Sequence, residues 1–101
     1  MFMNPPGAVC VMESNFDDEI KLKWDQVKDA RNYLVEYKGN TRSEKWRQAD
    51  FVSGLYCIIT GLKMNRKYKF RVAALNSTEW SRWSKTCELD PGSVFNKKIK
   101  Q

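Results

Sequence analysis

The fold class this chain predicts is all-β, a sandwich of seven short strands in two facing sheets. Three observations predict it. Apolar residues recur at every second position nearly throughout, the period of a half-buried strand. Turn-forming clusters interrupt the chain at intervals, at 5–7, 14–18, 39–40 and 90–92. No window carries apolar residues at the three-and-four spacing of a helix, so no sizeable helix is expected. Short strands punctuated in this way pack as two antiparallel sheets.

The elements follow in order. After Pro5-Pro6-Gly7, Val9 and Val11 alternate in a first strand, with Cys10 pointing outward between them. Ser14 to Asp18 is a polar turn. Ile20, Leu22 and Trp24 then face one way, and Lys21 and Lys23 the other. Asp25 to Asn32 reads as a polar connection into a third strand, where Tyr33, Val35 and Tyr37 alternate with Leu34, Glu36 and Lys38. Gly39-Asn40 is a turn signal, because both residues tolerate positive φ. A short strand over Lys45–Ala49 is expected next, with Trp46 as its packing residue. Cys57 and Ile59 form the inner face of a fifth strand that ends at Thr60-Gly61-Leu62. Tyr68, Phe70, Val72 and Ala74 make the longest alternation, Asn76 to Trp80 a loop, and Trp83 to Leu89 the last strand. Trp24 is the expected centre of the core, facing Tyr33, Val35, Ile59, Phe70 and Val72.

Composition narrows the function classes. The chain has 101 residues, enough for one domain with a modest core. Its boundaries read as a lead-in over 1–6, a domain over 7–90 and a basic tail or linker over 91–101. No apolar run approaches the roughly 20 residues that cross a bilayer, so no membrane insertion is expected, and the N-terminus carries no secretory signal pattern. Histidine is absent, which removes the commonest general base and metal ligand and excludes Ser-His-Asp and Cys-His catalysis within the chain. Cys10, Cys57 and Cys87 are spaced far from any zinc pattern, and their odd number leaves at least one thiol free. A Cys10–Cys87 bridge requires the first and last strands to run side by side. Asp17-Asp18-Glu19 offers too few oxygens for calcium and reads as a solvated loop. No cofactor, metal or small-molecule substrate is expected. The net charge of +6 admits an acidic polymer as partner, against the plainer reading of a soluble surface with dispersed Lys and Arg.

The most informative stretch is Trp80-Ser81-Arg82-Trp83-Ser84, ten residues after the Tyr68–Val72 alternation. Its two indoles stand close together on an extended or tightly twisted backbone, and Lys69 and Arg71 can lie over them. An indole holds a cation at roughly 0.5–2 kcal/mol per contact. The expectation is a stacked aromatic and cationic ladder on the outside of a sheet. Lys69, Arg71, Trp80, Arg82 and Trp83 are therefore the candidate binding residues, with internal stacking as the alternative role.

Several motifs together resemble a fibronectin type III domain over roughly Pro5 to Leu89. They are Pro5-Pro6, Leu22-x-Trp24, Tyr33-Leu34-Val35-Glu36-Tyr37, Thr60-Gly61-Leu62, Tyr68-x-Phe70-Arg71-Val72-x-Ala74-x-Asn76 and Trp83-Ser84. The resemblance implies an immunoglobulin-like sandwich with Tyr68 as the tyrosine corner, its hydroxyl bonded to backbone near 62–65. The usual Pro-Gly after Gly61-Leu62 is replaced by Met64-Asn65, and no Arg-Gly-Asp tripeptide is present. Trp80–Ser84 also resembles the WSxWS box of type I cytokine receptors, although Trp83-Ser84 alone is ordinary for the fold.

Two further features are noted. Asn76-Ser77-Thr78 matches a glycosylation acceptor in a loop. Leu34, Tyr56 and Ile58 alternate with inward residues, and an apolar patch there would pack against a neighbouring domain. The structural core is read as Trp24, Tyr33, Val35, Ile59, Leu62, Tyr68, Phe70 and Val72. The chain reads as a monomeric, non-enzymatic module for protein interaction, or a structural spacer, within a larger multidomain protein. Its loops 25–32, 39–44 and 76–80 or a sheet face meet partner proteins or neighbouring domains. The alternatives are a cytokine-receptor-like ectodomain and an accessory domain of a secreted carbohydrate-active enzyme. By resemblance the compartment is extracellular or the cell surface.

Overall fold

The alternating segments become two antiparallel sheets. The computed structural model describes residues 3–12, 18–63 and 66–89. Strands β1 (Cys10–Met12), β2 (Ile20–Lys23) and β5 (Tyr56–Ile59) form a three-stranded sheet in the order β1-β2-β5. Strands β3 (Asn32–Gly39), β4 (Arg47–Val52), β6 (Tyr68–Leu75) and β7 (Cys87–Leu89) form a four-stranded sheet in the order β4-β3-β6-β7. Every pairing is antiparallel, and no helix occurs among the described residues.

The inner faces supply one core. Ile20 and Leu22 meet Val35, Phe70 and Val72, all fully shielded from water. Trp24, only 3% exposed, lies with its ring 5.5 Å from that of Tyr33. Ile59, Leu62, Tyr33 and Tyr68 are buried in the same cluster. Tyr68 ties the chain across the sandwich end: the Lys63 N–H donates to its hydroxyl oxygen at 2.9 Å. Tyr33 does the same one level up, accepting from the Val27 N–H at 2.9 Å. That bond draws Val27 into the core, so the connection read as polar contributes a buried residue. Met3 is buried there as well. The Trp24 indole N–H has no partner among the described residues.

The structure corrects several expectations. β4 runs over Arg47–Val52 rather than 45–49, and a bulge between Val35 and Glu36 shifts its register against β3. Trp46 therefore stands before the strand, on the side of the outward-facing Lys38. Gly39 and Asn40 do not take positive φ; the residues that do are Ala8, Asp29 and Gly61. The ends of the Glu44 and Arg66 side chains, joined as an ion pair, lie against the bare Cα of Gly39. Leu34 shares no patch with Tyr56 and Ile58, since β3 and β5 belong to opposite sheets. The last strand is only Cys87–Leu89, and residues 81–86 run beside β6 without forming one. The turn at 64–65, the terminator at 90–92, the tail and Asp17 lie outside the described residues. Among those described, no cluster of acids and cysteines could hold a metal ion.

Candidate interaction surface

The candidate binding residues belong to the outer face of the four-stranded sheet. Alternation along β6 turns Tyr68, Phe70 and Val72 inward, leaving Lys69 and Arg71 outside. Pairing with β3 sets Lys69 opposite Lys38 and Arg71 opposite Glu36. Arg71 is the centre of the face. Its Nε and Nη2 donate to Glu36 Oε1 at 3.0 and 2.6 Å. Its two guanidinium faces are covered by indoles: Trp83 at 4.0 Å and Trp46 at 4.1 Å from ring centroid to Cζ. Lys38 lies over the Trp46 ring as well, at 5.5 Å. The result is a ladder, Trp83–Arg71–Trp46–Lys38, across the middle of the sheet. A planar cation with both faces stacked and its edge hydrogen-bonded is held on every side, which a lysine could not reproduce.

The ladder differs from the one expected. Trp80 and Lys69 are not in it. Trp80 is 54% exposed, with no cation over its ring among the described residues. Lys69 reaches only Glu88, at 4.0 Å. Arg82 is exposed beside Trp80. Trp46 and Glu36 complete the ladder in their place. Glu36 was legible as an outward residue of the third strand, but its position opposite Arg71 depends on register.

Two serines hold the segment that presents these indoles. The Ser81 N–H donates to Ala74 O at 2.8 Å, and Ser81 Oγ accepts from the Ala74 N–H at 2.7 Å. Ser84 repeats the pattern with Val72, at 2.8 and 2.9 Å. Each hydroxyl also donates onward, to Arg82 O and Lys85 O. The serine oxygens thus stand where the backbone carbonyls of a paired strand would stand. The edge of β6 is satisfied without a regular partner.

With this geometry, comparison with known proteins is direct. The fibronectin type III domain profile matches residues 4–89. The chain belongs to the fibronectin type III family. The domain superposes on a structure described as "FN3tt mut" with a TM-score of 0.73 at 25% identity, covering 90% of this chain and 98% of that one. A structure of titin kinase and its flanking domains gives 0.77 at 23% identity, covering 98% of this chain and 19% of the other. The twitchin kinase region of C. elegans gives 0.71 at 22% identity, covering 85% and 16%. The domain therefore corresponds to under a fifth of each of those two longer chains.

Other groups singled out in the sequence have structural employment. Asn76 Oδ1 accepts from the Thr78 and Glu79 N–H groups, at 2.9 Å each, and from the Thr78 hydroxyl at 3.1 Å. Its Nδ2 donates to Asp29 O at 3.0 Å, joining two loops at one end of the sandwich. The glycosylation acceptor atom is thereby engaged within the fold. The three cysteines are free thiols. Cys57 lies buried, and burial aided by the Asp50 carboxylate pushes its thiol up to about 12. Burial also raises the Cys87 thiol, with Cys10 near enough to add to the effect.

Proposed function

We propose that the domain is a non-catalytic protein-interaction or spacer module of a larger multidomain protein. Its partners are other proteins or neighbouring domains of the same chain, met through Trp80 and Arg82 at the end of the ladder. The observation that supports this most is Trp80 itself. It is a large aromatic side chain, more than half exposed, on a backbone held against β6 by a bridge to Leu75 and by the Ser81 clamp. Rigid, exposed Trp and Arg are the residue types that dominate docking energetics. Arg71 and Trp83 keep the platform in shape, and Lys69 stands at its rim. Fibronectin type III domains are generally non-catalytic, and similar folds recur inside long chains such as titin and twitchin. Within this reading, the paired serine clamp of the 80–84 box favours a cytokine-receptor-like ectodomain over an accessory domain.

The test is retention of partner proteins on the immobilised domain, comparing wild type with Trp80→Ala and Arg82→Ala. Lost retention at an unchanged melting temperature supports docking. Retention kept, with stability reduced by about 1 kcal/mol or more, would assign Trp80 to stacking instead. A second reading has one observation in its favour. Lys38 and Lys69 stand directly opposite across β3 and β6, a like-charge pair that an acidic polymer would relieve. Elution from a sulfated resin at low salt would remove that reading.

A further inference from the structure

A different part of the molecule carries an inference independent of the Trp80 surface. Six large apolar residues are notably exposed among those described, and four of them fall within residues 51–58: Phe51, Leu55, Tyr56 and Ile58. They gather along one side of the sandwich, where β4 of one sheet turns into β5 of the other. β5 is an edge strand, hydrogen-bonded only to β2. The Trp24 N–H donates to Leu55 O at 3.1 Å. In an antiparallel ladder, alternate residues turn their backbone groups to the same neighbour. Leu55, Cys57 and Ile59 therefore face β2, and Tyr56 and Ile58 turn their N–H and C=O groups to the open edge.

Natural sheets guard such edges with lysine, proline or a bulge. Residues 55–60, Leu-Tyr-Cys-Ile-Ile-Thr, contain no charge, proline or glycine. Tyr56 and Ile58 are 53% and 44% exposed. A shallow groove lies beside this edge, lined on the β4 side by Asp50, Phe51, Val52 and Ser53 and on the other by Tyr56, Cys57 and Ile58. Charge lies beside it: Lys21 Nζ sits over the Tyr56 ring at 4.3 Å, and Lys23 is opposite Tyr56 in register. Neither lysine pairs with a carboxylate among the described residues.

We infer that the β5 edge is a strand-docking site for an extended segment of a partner protein, with acidic and apolar residues alternating. Backbone pairing with Tyr56 and Ile58 supplies affinity. The period of two then divides the partner's side chains. One set shares the outer face with Tyr56 and Ile58, under the Lys21 ammonium, where carboxylates fit. The other set turns toward the groove, whose lining mixes Phe51 and Val52 with Asp50 and Ser53; uncharged side chains fit there, because a carboxylate would meet that of Asp50. The site is distinct from the Trp80 end, and either can fail without the other.

The experiment titrates the isotope-labelled chain with a short synthetic peptide alternating Val and Glu, beside a matched Val–Lys peptide. Amide shifts and slowed hydrogen exchange are expected at Tyr56 and Ile58, with the Val–Lys peptide binding about tenfold or more weakly. Ile58→Glu, at an exposed position, sets a like charge beside the peptide's carboxylates and should weaken the Val–Glu peptide by about the same factor with the melting temperature unchanged. Lys21→Gln should weaken it without touching the edge backbone. Three results would overturn the inference: no perturbation at Tyr56 and Ile58, equal binding of the two peptides, or shifts centred on Trp80. Self-association that Ile58→Glu abolishes would also overturn it, by making a second copy the occupant.

Discussion

Replacing Ser84 with alanine tests the serine clamp most directly. Val72 is fully buried in the core strand β6, and its N–H donates only to Ser84 Oγ, at 2.9 Å. The substitution removes one oxygen, keeps the Cβ and leaves that N–H unpaired where water does not reach. An orphaned buried donor costs about 1–3 kcal/mol. For a domain of this size, each kcal/mol lowers the melting temperature by roughly 4–8 °C, so a fall of about 5–15 °C is expected. Ser81→Ala should cost less, because its bond to the Ala74 N–H is only partly buried. Ser84→Thr keeps the hydroxyl and should recover most of the loss. Urea denaturation gives the free energy, and amide exchange at Val72 shows whether the loss is local. Stability of Ser84→Ala within about 0.5 kcal/mol of wild type, with Val72 equally protected, would refute the clamp.

Two further outcomes follow from the same geometry. A double-mutant cycle on Arg71 and Trp83 should give a coupling energy of about 0.5–2 kcal/mol in thermal or urea unfolding, whereas a cycle on Arg71 and Trp80 should give none; equal couplings would put Trp80 back in the ladder. Cys57 should make the fold sensitive to alkali. Its thiol is raised from 9.0 to about 12 in the folded chain, so above pH 9 the unfolded chain loses a proton that the folded chain keeps, and stability falls as pH rises. The slope from this one group is at most about 1.4 kcal/mol per pH unit. Cys57→Ala should flatten the stability profile between pH 9 and 12, and an unchanged profile would show that the thiol is not buried as described.

The sequence made the inner faces legible because burial writes itself as a period of two. Trp24 and Phe70 are each flanked on both sides by charged neighbours, Lys23 and Asp25 for the one and Lys69 and Arg71 for the other, that could only face outward. Ladder membership was less legible, because it depends on which outward residues become neighbours. Arg71 meets Glu36 through the β3–β6 register, and Trp46 reaches Arg71 only because β4 begins one residue after it. A bulge at Val35/Glu36 contributes to that placement, and nothing in the local sequence marks it. The end of the chain failed for a different reason. Two serines three residues apart both face β6, which a strand of period two does not allow. A continuous strand from Trp83 was therefore the wrong geometry for a segment that satisfies its neighbour through side chains. Gly39 is a turn signal by its backbone freedom, yet its φ is not positive, and the ends of the Glu44 and Arg66 side chains close over it instead.

The two sides of the sandwich distribute their polar and aromatic groups unequally, and that difference bears on function. On the four-stranded sheet, Arg71 has both faces and its edge occupied, Glu36 is paired, and the β6 edge is closed by the serines. What stays most exposed there is Trp80 with Arg82, and Phe51 on β4. On the three-stranded sheet, the β5 edge keeps unpaired backbone groups, Tyr56 and Ile58 keep exposed side chains, and Lys21 and Lys23 keep their charge. A surface whose groups satisfy one another gains rigidity and gives up affinity. One whose groups are left open retains the capacity to bind. The indole pair that stands out in the sequence therefore divides its roles, with Trp83 building the platform and Trp80 extending from it. The plain run Tyr56–Ile59 holds the more open chemistry.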